Sequence, residues 1–349
     1  MTELARARNQ LGSVYASTRQ PQQQRSLYRQ ALATLESIKG KAARTPKVRF
    51  ELARSHFQLS RLGSPRGGPR GGFPGGRRPP PRRGFPFGRS DEVDHHAKAV
   101  EILEALRKQY PKVQEYRFLL ALCYREAPRS RDPWTALRST DKAAKLLEEL
   151  IEESPRSGNP EHRHELIKTY ARAEMRGPPG MRGFTQETEK RLNLALSLSE
   201  KLVMEHPHVP DYATSQVHVL FNLAITLERR QVDKDAEAFC RRAVTLQKKL
   251  VKRFANVDSY KVWLGILQET LARFLMRRQQ WKEAKTLLKE SIANRESLAN
   301  ERGMHGFLGH AYHDLANVLD KLGEAEEAIL MRAKAEKHHR GRRGFGRRR

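Results

Sequence analysis

The sequence predicts an all-α protein, a solenoid of about seven antiparallel helix pairs. Three observations predict it. First, a pattern of Leu, a small or apolar residue, two free positions and an aromatic or Leu recurs along the chain. Its copies are Leu11-Gly12…Tyr15, Leu52-Ala53…His56, Leu120-Ala121…Tyr124, Leu166-Ile167…Tyr170, Leu223-Ala224…Leu227, Leu271-Ala272…Leu275 and Leu315-Ala316…Leu319. Second, each copy is followed by a helical stretch with residues seven apart, two turns along one face. Third, the interruptions share one composition of Arg, Gly and Pro, which holds neither helix nor sheet.

Each element follows from this frame. The first helix of every pair carries the Leu pattern. The second carries small residues at its crossing point: Ala136/Ala143, Ala236/Ala243, Ala284/Ser291 and Ala328/Ala335. In the same register lie Gln24/Ala31, Glu92/Ala99 and Thr188/Ala195, where only the second residue is small. Small residues are needed because helix axes approach to about 8–9 Å only where no large side chain intervenes. Pro111, Pro155 and Pro207 stand beyond second helices, where the helix has already ended.

The organisation expected is a first pair plus the first helix of the second over residues 1–62, an Arg/Gly/Pro insertion over 63–90, and pairs two to seven over 91–336. A short low-complexity insertion lies near 175–184 and a basic tail over 337–349. The insertions and the tail are expected to be disordered. The 349 residues carry a formal charge of +27, and much of it sits in these segments. Residues 61–90 and 337–349 contain no acid at all.

No apolar run approaches the roughly 18–20 residues that span a bilayer, and the N-terminus lacks the apolar core of a secretory signal. Cys123 and Cys240 lie far apart with no CxxC, which supports neither a disulfide framework nor a zinc knuckle. The expectation is a cytoplasmic protein without membrane contact.

The residues quoted above resemble the tetratricopeptide repeat (TPR): Leu11, Gly12, Tyr15, Tyr28 and Ala31 in the first unit, and Leu271, Ala272, Trp281, Ala284 and Leu288 in the sixth. The units run to about 42–48 residues against the usual 34. The resemblance implies a right-handed superhelix. A weaker resemblance, on QRSLYRQAL and WKEAKTLLKESI, reaches the repeat regions attached to some bacterial serine/threonine kinases. No kinase motif accompanies it.

Catalytic and metal motifs are absent from the sequence. There is no GxSxG, Walker loop or HExxH, so no enzyme, cofactor or metal is expected. The TPR resemblance places the exposed positions of the first helices on a concave groove. The bases there are Arg6, Lys47, Arg54, Arg125, Lys168, Arg172, Arg229, Arg273, Arg277 and Lys321. The acids are fewer: Glu115, Glu126, Glu161, Glu228, Glu269 and Asp320. His164, His218, His310 and His313 share the face, and Asn222 and Asn317 are placed to bond a ligand's backbone. The candidate groove residues are Arg54, Lys168, Arg172, Asn222, Arg229, Arg273, Arg277, His310, His313 and Asn317. They point to a scaffold that binds an acidic peptide or helix. One alternative is a stand-alone regulatory repeat region related to bacterial serine/threonine kinases, and the other is a nucleic-acid-associated protein. In it Arg66, Arg70, Arg77, Arg78, Arg82, Arg83, Arg342 and Arg343 contact polyanions, non-specifically on the scaffold reading.

Overall fold

A computed structural model describes residues 1–17, 20–62, 94–128, 133–153, 159–174, 186–296 and 304–344. The expected insertions at 63–90 and 175–184, with Arg66 to Arg83, lie outside the described residues. Among those described, fourteen α-helices and one short 3₁₀ turn occur, and no strand. The chain divides into two compact units, Met1–Pro178 and Pro179–Arg349.

The first unit holds α1 (Thr2–Ser17), α2 (Pro21–Glu36), α3 (Pro46–Leu62), α4 (His95–Gln109), α5 (Gln114–Arg125), α6 (Pro133–Glu152) and α7 (Pro160–Glu174). Each helix packs on the next, so odd-numbered first helices alternate with even-numbered second helices. The second unit holds α8 (Gln186–Glu205), α9 (Pro210–Arg229), α10 (Asp233–Arg253), α11 (Asp258–Arg277), α12 (Trp281–Glu296), α13 (Met304–Lys321) and α14 (Ala325–Gly344), packed in the same serial way. The division falls between α7 and α8, the two helices of the fourth expected pair.

The small residues do what the spacing predicts. Ala53, Ala121, Ala224, Ala272 and Ala316 on first helices are fully buried, as are Ala31, Ala99, Ala143, Ala195, Ala243 and Ser291 on second helices. Gly12 is the extreme case: a Cβ there would fall 2.4 Å from the ring of Tyr28, which lies across it. Prolines open α2, α3, α6, α7 and α9, where the missing N–H has no intrahelical acceptor to lose. Asp94 caps α4 by accepting from the Ala97 amide at 3.0 Å. The turn from α13 to α14 uses Gly323 at φ +78°, a conformation open to glycine.

Three sequence expectations change. Leu11, matched to a core position, is 46% exposed, while Ala5 and Asn9 of the same helix are buried. The tail expected to be disordered from Lys337 is helical as far as Gly344. His338 stacks on Tyr312 with ring centroids 5.5 Å apart, and no proline interrupts that stretch of helix. His95 and His96 border the Arg/Gly/Pro segment and would on that ground be expected in solvent, but both are engaged. His95 Nδ1 lies 2.8 Å from Nδ1 of the buried His56, and His96 Nε2 lies 2.9 Å from the Cys123 carbonyl oxygen.

Candidate partner-binding face

In the first unit the exposed edges of α3, α5 and α7 carry alternating charge. Arg54 donates to Glu51 at 2.8 Å and lies over the Phe50 ring, 4.7 Å from its centroid. Arg61 of α3 reaches Glu126 at the end of α5 at 3.3 Å. Arg125 on α5 is buried and donates to Glu165 on α7 and to Glu126 at 3.0 Å. Lys168 returns to the same Glu165 at 2.7 Å. Burial pushes the Glu126 carboxyl up, but Arg61, Arg125 and Arg172 outweigh it and hold the group below the ordinary range. Lys168 and Arg172 thus stand beside acids of this cluster, while Arg54 is paired within its own helix.

The second unit builds a longer network across α9, α11 and α13. Arg295 of α12 is fully buried and donates to Glu269 on α11 at 2.7 Å. Glu269 also accepts from Arg273, whose Nε reaches Asp314 on α13 at 2.8 Å. One turn along, Arg277 reaches back to Glu228 on α9 at 2.7 Å and lies 3.6 Å from Asp233. His313 is 3.9 Å from Asp314, and Asn317 lies 3.3 Å from the His313 ring. His310 is exposed on the same helix. Asn222 is only 8% exposed and faces the core rather than a ligand. His218 is likewise tucked against Trp263 at 4.5 Å, and burial lowers it to about 4.

The surplus of bases read from the sequence is thus largely matched by acids of neighbouring helices. Sequence reasoning missed the partners, but it had a signal for them. Each tie joins an arginine to an acid roughly one repeat away: Arg125 to Glu165, Arg273 to Asp314, Arg277 to Glu228. The bidentate pair of the buried Arg117 with Glu153, at 2.5 and 2.6 Å, also went unread.

At the C-terminal ends of α9 and α11 this face opens into a cavity of about 710 Å³. It is lined by Ile225, Glu228, Arg229, Gln231, Asp233 and Arg277. Arg229 and Arg277 both line it. Arg342 and Arg343 fall within α14, and their side chains lie outside those described. The thiols of Cys123 and Cys240 are buried; burial pushes both up, Cys240 to about 12. Both behave as small core residues.

Comparison with known families decides the class of array. The tetratricopeptide-repeat models match residues 4–40 and 115–157, on α1–α2 and on α5–α6. Those two stretches of the chain are tetratricopeptide repeats. Solved structures carry the same fold. The apo form of RapI is 13% identical with a TM-score of 0.60, over 96% of this chain and 76% of that one. The Schizosaccharomyces pombe (S. pombe) nuclear import adaptor Nro1 is 11% identical with a TM-score of 0.53, over 88% and 97%. BtubC from P. vanneervenii is 16% identical with a TM-score of 0.50, over 71% and 90%. No curated protein matches the chain in sequence. TPR arrays are protein-interaction scaffolds, and none of the described TPR helices is long and apolar enough to cross a membrane.

Proposed function

We propose that this TPR protein is a non-enzymatic scaffold whose first-helix face holds an acidic peptide or helix, with its strongest contact in the cavity between Arg229 and Arg277. The observation that carries the reading is that cavity: two exposed guanidinium groups at one mouth, with Ile225 as an apolar wall. Arg277 is already paired, but at 42% exposure its pair with Glu228 is a surface ion pair. Such pairs are worth about 0–1 kcal/mol, so a ligand carboxylate can exchange for Glu228 at little cost. Bidentate guanidinium–carboxylate geometry then supplies direction as well as attraction.

The test uses a fluorescent peptide rich in Glu and Asp, read by anisotropy. Arg229→Gln with Arg277→Gln should weaken binding about tenfold or more while circular dichroism stays unchanged, since both residues sit outside the core. Equal affinity in the double variant overturns the reading. The basic stretches 63–90 and 337–349, on which a nucleic-acid role would rest, carry no part of it.

A further inference from the structure

The first helices of the array present one seam to the second helix that precedes them. At the pattern leucine, Leu120, Leu166, Leu223, Leu271 and Leu315 are at most 3% exposed. In α11 the seam continues through Leu264, Leu267 and Phe274, all buried. In α1 the same positions are Leu4, Ala7, Leu11 and Val14, spaced three, four and three apart on one face. Here Leu4 is 49%, Leu11 46% and Val14 57% exposed. The opposite side of α1 is sealed onto α2 and α3 through the buried Ala5 and Asn9. An interface used throughout the molecule is thus left open at α1.

The last helix does not repeat this. Cys240 of α10 lies against the Leu267 carbonyl of the following α11, and in α6, α8 and α10 the residues four, eight and eleven beyond the first small position are buried. In α8 these are Leu192, Leu196 and Ser199, all buried. In α14 the first two are Arg332 and Glu336, both exposed, with Arg332 paired to Asp320. Ends of repeat arrays that face water are polar; α14 obeys that rule and α1 breaks it.

We propose that the Leu4–Leu11–Val14 seam of α1 docks an amphipathic helix from a partner protein, which takes the position a second helix holds against every later first helix. The register of the interior interface defines the ligand: as in α8, apolar residues at i and i+4 and a small one at i+7, meeting the close approach that Ala7 allows. The flanks define its charge. Arg6 stands exposed beside the seam, while Glu3 is tied to Lys47 at 2.5 Å, so acids flank the apolar residues of the ligand. A second copy of this chain is a poor occupant. Its terminal second helix offers Arg332 and Glu336 where the seam needs apolar side chains.

The probe is a labelled peptide with the α8 sequence, QETEKRLNLALSLSEKLVME, added to the full-length protein and followed by anisotropy, with sedimentation velocity for the protein alone. A monomer that binds one peptide supports the proposal, provided that Leu4→Glu with Leu11→Glu lowers affinity at least tenfold and leaves helicity intact. A peptide carrying Leu192→Glu and Leu196→Glu should not bind. Val14→Arg, a single change at an exposed site, gives the same readout if the double variant folds poorly. No binding by the unmodified peptide, or binding indifferent to these substitutions, overturns the proposal. So does a wild-type dimer that the seam variants convert to monomer, since the occupant would then be a second copy.

Discussion

Gly265 faces the buried arginine of the second unit, and the two are fitted to each other. A Cβ at 265 would stand 2.6 Å from the Nε of Arg295 and 3.2 Å from the Ser291 carbonyl oxygen. The Ser291 hydroxyl donates to the Gly265 carbonyl at 2.8 Å, which fixes the backbone there. Arg295 cannot swing aside, because Glu269 holds it and it has no exposed surface. Gly265→Ala should therefore destabilise by about 1–3 kcal/mol through overpacking, read as a lower urea midpoint with unchanged m-value. A second residue works the other way. Gln279 closes the α11–α12 turn at φ 59°, where Gly323 serves the α13–α14 turn. Gln279→Gly should leave the protein equally stable or raise stability by up to about 1 kcal/mol, because glycine enters the left-handed region without a Cβ clash. A fall of the urea midpoint would show that the Gln279 side chain contributes more than its backbone strain costs.

Two helix contacts tie stability to pH. Burial, reinforced by His95 and then Lys98, lowers His56 to about 4, and burial alone lowers His218 to about 4. A histidine with a depressed native pKa binds its proton more readily when unfolded. Its contribution is therefore complete above the unfolded pKa of about 6.5 and is lost as pH falls toward the native value. The urea midpoint should decline between pH 6.5 and 4, and His218→Phe should flatten part of that slope while keeping the contact with Trp263. Identical midpoints at pH 7 and pH 5 would refute it. Below this window Glu283, held low by its bonds from Arg241, adds a further loss when it is protonated. The helices themselves were legible in the sequence. The Leu pattern and the small residues seven apart encode which face of each helix meets a neighbour, and Ala272 and Ala284 lie where that spacing puts them. What the pattern could not encode is how deeply each position is covered, so Leu11 read as core although it is 46% exposed. The candidate face was legible as a set of positions but not as a charge. Arg273 and Arg277 count as bases in a linear tally, while their acids, Asp314 and Glu228, sit on other helices and become neighbours only when the repeats stack. Asn222 was misplaced for a simpler reason: an error of one residue in helix phase, about 100°, separates groove from core.

At the scale of the chain, the division into Met1–Pro178 and Pro179–Arg349 gives each unit its own buried core. The second contains three complete helix pairs, the least number at which stacked repeats bury a continuous core. Expressed alone, residues 179–349 should keep a helical circular-dichroism spectrum and unfold cooperatively. A fragment without a cooperative transition would mean that its stability is borrowed from the preceding residues. Cooperative unfolding would also let the two halves be studied separately, with the Arg229–Arg277 cavity intact in one and the α1 seam in the other.

The outer ion pairs of the second unit have a polarity, and it fixes the order of the repeats. Glu200 of α8 meets Arg242 of α10 at 2.5 Å, and Lys248 of α10 meets Glu290 of α12 at 3.0 Å. The two bridges occupy the same register with their signs exchanged. Excising the α9–α10 repeat would set Glu200 against Glu290, and duplicating it would set Lys248 against a second Arg242. Each clash is small at an exposed surface, yet it opposes every shortening or lengthening of the array at this place. The signs of the outer bridges therefore tilt the array, by a little, against losing or repeating α10.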